Sequence, residues 1–427
     1  MSFGRFREPL ALWIGRRFFF GWAMLGVAAL GIFVSGAGQS HTFSVFIGPI
    51  GRDLGLSETA IASAYGFATL GAAFCLPLMG RQVDRHGARK VLLLVTLALG
   101  LACFAFGAAG GMVWLALGFA ALRFLGQGSL MMICTNLVSQ WFARNRGFAI
   151  SLMTLGFSVS MAAHPALSQW LIDLVGWRQA WIWLGVTTWV LLLTPVLFLV
   201  LDRPSNIGLL PDGAVEPADK ATAVTLAARA ARQDASLTLQ QALRGPAFYI
   251  VAGGLCLLSM MVTALHFFQV SIFATHDLDA TIASRVFAVS AITMVATMPL
   301  IGRMLDRFPT HYMFAAGLII VACALTGATL VDGLLTAILY AVVFGLGNAF
   351  TITLYGYMWP RYFGLKHLGS IMGVGQMIGV IGASVGPLPL GVANDWLGGY
   401  DPMLLGMATV PAGWAVIALF LRPPKAA

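Results

Sequence analysis

Charge is scarce in this chain. Asp, Glu, Lys and Arg make up 10% of its 427 residues, against about 25% in soluble globular proteins. That shortage excludes an ordinary soluble enzyme and a disordered chain. Cysteine is sparse as well: Cys75, Cys103, Cys134, Cys256 and Cys323 stand singly inside apolar runs. Without a C-x-x-C pair, neither a disulfide framework nor a zinc site is expected. No glycine-rich phosphate loop occurs, so ATP drive is not expected. A nucleophile–base pair and a His/Cys/acid cluster are also missing, and no enzymatic chemistry, cofactor or metal is expected.

What remains is apolar: 59% of the residues are hydrophobic, and 49 are glycine. A bilayer core of ~30 Å takes about 20 residues of helix. Twelve apolar runs reach that length, at 18–48, 58–80, 90–109, 112–139, 148–174, 179–201, 246–275, 281–302, 312–331, 334–359, 368–395 and 402–421. The predicted fold class is therefore an all-α polytopic membrane protein with twelve transmembrane helices. The separators are short except for 202–245, which is long, polar and rich in Pro and Ala.

The basic residues set the orientation. With a cytoplasmic N-terminus, most of the 25 Lys and Arg fall in inside segments, as the positive-inside rule requires. Only Arg52 and Arg178 fall outside, and Arg123 and Arg285 lie within spans. Both termini are thus expected in the cytoplasm, in a plasma membrane such as a bacterial inner membrane. The net charge of +9 reads as a topology signal, and no nucleic-acid partner is expected. Trp114, Trp177, Trp181 and Trp396 lie near predicted outer ends, where an aromatic belt would sit.

The chain also repeats itself. Gly80-Arg-Gln-Val-Asp84-Arg85 recurs as Gly302-Arg-Met-Leu-Asp306-Arg307, 222 positions later. Gly126 matches Gly347, Phe142 matches Phe363, Gly147 matches Gly369, Pro165 matches Pro387 and Asp173 matches Asp395, in order and in nearly the same register. Two pseudo-symmetric six-helix halves are expected, 1–201 and 246–427. The linker 202–245 joins them, with a short interfacial helix over Ser236–Arg244. Parallel halves of this kind hold a substrate near mid-membrane and expose it alternately to each side.

The segment Gly80-Arg-Gln-Val-Asp84-Arg85-His-Gly87-Ala-Arg89-Lys90 resembles the loop 2–3 motif of the major facilitator superfamily. Gly21-Trp22, Ser40-His41-Thr42-Phe43-Ser44-Val45-Phe46 and Trp141-Phe142-Ala-Arg144-Asn-Arg146-Gly147 are similar to its monocarboxylate-porter and oxalate/formate branch. The resemblance implies a secondary transporter, acting as a monomer. It also implies a latch: Asp84 docks on the N-terminus of span 11 near Gly369, and Asp306 on that of span 5 near Gly147. Gly80 and Gly87 would permit close approach, Arg85, Arg89 and Arg144 would hold the carboxylate in a charge network, and Arg307 is the gating candidate of the second copy. A solvated turn is the alternative for this loop.

Arg123 lies near the middle of span 4, while none of the 16 acidic residues falls deep in a span. A charge at that depth costs at least ~2.5–3.5 kcal/mol and should face a cavity or partner. Either a substrate supplies the opposite charge, or backbone carbonyls hold the guanidinium. Arg123-Phe-Leu-Gly126 also resembles a helix 4 motif of proton-coupled drug exporters, and span 8 lacks the basic residue usual in carboxylate porters. In the resembled fold the cavity-lining candidates are His41, Gln127, His266, Asn348, Tyr355 and Gln376. His41, His164 and His266 are candidates for proton coupling, since imidazole titrates in the physiological range. The leading expectation is a transporter of small organic anions, carboxylates with H+. A proton-coupled multidrug exporter and a non-transporting receptor remain as alternatives.

Overall fold

The computed structural model describes residues 19–56, 58–213, 237–278, 280–386, 388–390, 392–393 and 399–422. Among the described residues there are helices and no strand. Hydrocarbon offers no partner for backbone N–H and C=O groups, and a helix satisfies them internally. Among the described residues, ten helical runs are long and apolar enough to cross a membrane. One of them, Arg146–Phe198, holds two predicted spans bent at Gly176, whose φ of 80° and ψ of 163° interrupt the helix. The span expected at 58–80 is the helix Glu58–His86. Each of the twelve predicted spans contains described helix. The expectations for Asp395, Trp396, Pro387 and Ser236 lie outside the described residues.

The chain divides into two compact units. One comprises Met1–Leu239 with Phe363–Met377, the other Gln240–Tyr362 with Ile378–Ala427. The sequence division places 363–377 in the C-terminal half, whereas this stretch belongs to the first unit.

In the first unit the helices are α1 (Gly21–Val34), α2 (Ser40–Leu54), α3 (Glu58–His86), α4 (Ala88–Gly107), α5 (Met112–Leu122), α6 (Met131–Trp141), α7 (Arg146–Thr188) and α8 (Thr194–Phe198). Its core is aromatic: buried Trp181 lies 4.7 Å from Phe46 and 4.6 Å from Phe106, centroid to centroid. At the end of α2, Asp53 accepts from Arg178 at 2.8 Å and from the Trp177 indole at 3.1 Å. Arg178 also donates to the Gly107 and Ala109 carbonyls at the end of α4, so one side chain ties three helix ends together.

The second unit continues with α9 (Leu239–Arg244), which opens at the boundary, α10 (Pro246–Thr275), α11 (Ala280–Arg307), α12 (Thr310–Ala328) and α13 (Leu334–Phe363). Helix α14 (Leu368–Val385) begins in the first unit and ends in the second, and α15 (Asp401–Leu419) follows. Trp414 lies against Gly253 and Gly254 and donates to the Ile250 carbonyl at 3.0 Å. His276 pairs with Asp401 at 3.2 Å. His276 and Asp401 stand 223 positions after Asp53 and Arg178, respectively, so the repeat keeps this tie with the acid on the other partner. The acids of both pairs are half exposed, and such pairs contribute at most about 1 kcal/mol each.

Candidate functional site

The first span is not one helix. Helix α1 ends in a 3-10 turn, Ser35–Gly38, and Gln39 is extended at φ −100° and ψ 153° before α2 restarts at Ser40. The expectation of a continuous helix over 18–48 is corrected here. The small residues of Ser35-Gly-Ala-Gly38 permit the interruption, but an apolar run does not announce it. A break exposes carbonyls at the end of one half-helix and amides at the start of the next. Gly36 O accepts from Gln39 N at 3.0 Å and from Thr42 Oγ1 at 2.5 Å. Gly38 O accepts from Arg123 Nη1 at 3.3 Å.

Arg123 begins a π-helical segment, Arg123–Leu130, between α5 and α6. Ser129 Oγ donates to the Phe124 carbonyl five residues back, at 2.7 Å. Such wide turns are rare and collect at functional sites. The turn brings Gly126 against the break: a Cβ there would lie 2.9 Å from Gly38 Cα. Gly126→Ala is accordingly expected to lower stability by about 1–3 kcal/mol, read as a lower Tm of the purified protein without added ligand.

Arg123 is 7% exposed, its guanidinium 5.1 Å from the Tyr65 ring centroid. Nη1 also reaches Ser40 Oγ at 3.4 Å, and Ser40 Oγ is 2.7 Å from the Tyr65 hydroxyl. Nε is buried without a partner. Among the described residues no carboxylate reaches it. The backbone-carbonyl alternative is therefore realised in part, through long bonds that leave donor capacity unspent.

Two histidines flank the same break. His41 Nε2 lies 3.3 Å from Ser160 Oγ, and Ser160 Oγ lies 3.1 Å from His164 Nδ1. The ring centroids are 6.4 Å apart. One hydroxyl thus bridges two imidazoles, and a hydroxyl both donates and accepts. Sequence reasoning treated these histidines separately and passed over Ser40, Ser160 and the polar part of Tyr65. The spacing of Ser160 and His164, one helical turn, was the available signal. Gln127 and Gln376 are half-buried and make no hydrogen bond among the described residues.

His266, Asn348 and Tyr355 belong to the second unit. His266 Nδ1 lies 3.0 Å from the Val262 carbonyl of its own helix, and its ring stacks beside Phe287. Asn348 donates to the Phe344 carbonyl at 3.1 Å. Tyr355 donates to Leu255 O at 3.1 Å, with its hydroxyl where a Gly379 Cβ would sit. Tyr355 thereby makes a packing contact between helices.

The latch loop is also built. Asp84 accepts Gly369 N at 2.8 Å and Ser370 N at 2.7 Å, and the Ser370 hydroxyl adds a third bond. A carboxylate is favoured there by unpaired amides and the helix dipole. A Cβ on Gly80 would overlap the Gly369 carbonyl. Gly87 turns the chain at φ 82°, and Asp202 then accepts Arg89 N at 2.8 Å. Arg89 Nη2 reaches the Leu197 carbonyl, and Arg85 is exposed. Asp212 accepts the successive amides of Ala143, Arg144 and Asn145. The stretch 202–213, the start of the expected linker, is pinned at both ends by its own carboxylates. Asp306 is half-buried and Arg307 exposed at the end of α11.

Comparison with known proteins agrees with this architecture. The family model described as Major Facilitator Superfamily matches residues 28–387 and, separately, 256–427. The uncharacterized MFS-type transporter YhjX of Escherichia coli is 22% identical over 350 residues, 79% of this chain and 80% of the relative. The gallate transporter of Pseudomonas putida is 30% identical over 163 residues, 38% of this chain and 36% of the relative. The solved structure of the human organic anion transporter MFSD10 aligns with a TM-score of 0.69 at 14% identity, covering 94% of this chain and 99% of that one. That last likeness is one of fold. The chain belongs to the Major Facilitator Superfamily, and it is a multi-pass membrane transporter.

Proposed function

We propose that this transporter moves small organic anions, carboxylates above all, together with H+ by alternating access. It would act in a plasma membrane with both termini in the cytoplasm. The observation that carries the reading is Arg123: a buried guanidinium with a spare donor, set at a broken helix and answered by no carboxylate among the described residues. Helix α2 begins beside it at Ser40, and a half-helix N-terminus favours an anion. The named cargo of the gallate transporter, an anion carrying a carboxylate, supports the same substrate class.

Arg123 would hold the carboxylate, with Ser40 and the Tyr65 hydroxyl orienting it. His41, Ser160 and His164 would carry the proton. A proton on either imidazole adds positive charge beside Arg123, which is unfavourable until an anion arrives. Proton and anion therefore favour each other's binding, and the coupling is reciprocal. Gln127, Gln376 and His266 are further candidate contacts to the substrate body.

Proteoliposomes loaded with a pH dye and offered a panel of mono- and dicarboxylates test this reading. Saturable, anion-dependent acidification is expected. Efflux of hydrophobic cations with no flux of any acid would overturn it. In the double variant His41→Gln/His164→Gln, acidification is expected to fall at least tenfold while anion–anion exchange persists. Unchanged acidification would remove the histidines from the coupling.

A further inference from the structure

We propose that the first unit carries a second anion site, separate from the Arg123 cluster, which binds a phosphate-type oxyanion beside loop 81–89. A cavity of about 300 Å³ opens there, bounded by that loop, α6, the stretch 202–206 and residues 365–366. This volume is at the low end of the roughly 300–1,000 Å³ common for ligand pockets. Three cations line it: Arg85, Arg203 and Lys366.

The two acids on its wall are already committed. Asp84 accepts the Gly369 and Ser370 amides, and Asp202 accepts the Arg89 amide. Their charge is drawn toward helix N-termini, and the cations around the cavity keep an excess of positive charge. Asn136 supplies an independent sign. It is 5% exposed and lines the cavity. An amide offers both a donor and an acceptor, so at this place on a cation-lined wall Asn136 can donate to an oxyanion. Gln140 closes the wall by donating to the Leu365 carbonyl at 3.3 Å.

A phosphate group fits this set. It carries up to two negative charges and several strong acceptor oxygens, where a lone carboxylate needs one forked donor. Bound here, it would join Arg85 of the latch loop, Arg203 after α8 and Lys366 just ahead of α14. It would thereby hold the segment that Asp84 caps and favour the latched state. Free phosphate and the phosphodiester of an anionic lipid share this chemistry.

The test uses the full chain, delipidated in neutral detergent and titrated with inorganic phosphate while thermal unfolding is followed, with chloride at matched ionic strength as reference. A saturable rise in Tm is expected, with apparent affinity at least tenfold weaker in Arg203→Gln and in Asn136→Leu. If Asn136→Leu does not fold, the exposed Arg203→Gln decides. A second arm compares nanodiscs of phosphatidylglycerol with nanodiscs of phosphatidylcholine. Stabilisation by phosphatidylglycerol that depends on Arg203, without an effect of inorganic phosphate, supports the site and assigns its source to lipid. No response in either arm, or a response equal in wild type and Arg203→Gln, overturns the proposal. Arg123 variants should leave this titration unchanged, which keeps the two sites distinguishable.

Discussion

Arg123→Gln is expected to abolish anion-driven acidification in proteoliposomes, with a loss of at least about 100-fold. A hydrogen bond to a charged group is worth about 1.5–3 kcal/mol, which is about 10- to 150-fold in affinity, and a carboxylate on the guanidinium fork would lose two of them. Glutamine keeps a donor for the Gly38 carbonyl, which Arg123 now bonds, so the variant retains part of the tie to the break. Arg123→Lys keeps the charge but loses the planar fork, and about a tenfold loss of affinity is expected. The competing reading gives Arg123 only the task of holding the interrupted helix together. Thermal unfolding separates the two. If Arg123 binds substrate, the transported acid raises the Tm of the wild type but not of folded Arg123→Gln. If the acid protects both equally, Arg123 is a structural residue and the carboxylate site lies elsewhere.

Gly80→Val is expected to have a comparably large effect, for a steric reason. A Cβ at this position would overlap the Gly369 carbonyl, a backbone atom that no rotamer change can move. The α3–α14 approach that presents the Asp84 carboxylate to the Gly369 and Ser370 amides is then closed off. If this contact is the latch that the family resemblance implies, its loss removes one end state of the transport cycle, and a fall in rate of about 100-fold is expected. Asp84→Asn acts on the same contact more gently. The amide retains one acceptor oxygen, loses the charge that favours a helix N-terminus, and destabilises the docked state by about 1–3 kcal/mol. Its transport rate is expected to drop about tenfold. Initial rates within twofold of wild type for both variants would show that this contact is not part of turnover.

The twelve spans were legible because hydrocarbon enforces a simple rule, and each of them contains described helix. The docking of Asp84 near Gly369 could be anticipated only through the family's motif, since the partners are 285 residues apart. The break at Ser35–Gln39 was hidden for the opposite reason. Inside an apolar run, a glycine that packs and a glycine that interrupts look alike. Whether the chain stays helical depends on whether a neighbour such as Arg123 or Thr42 can satisfy the freed carbonyls. The same holds for Asp202 and Asp212, which read as ordinary linker acids until the amides they accept are known.

By itself the sequence determined the class of protein, the number of membrane crossings and the isolation of Arg123 among spans without deep acids. Each of these follows from composition against the bilayer, a one-dimensional comparison. Only the tertiary structure decided that Arg123 meets a broken helix, that His41, Ser160 and His164 form one chain, and that Tyr355 bonds the Leu255 carbonyl. Those outcomes depend on which backbone groups are left unpaired and which side chains lie within about 3 Å of them. Such distances are set by the packing of helices far apart in the chain.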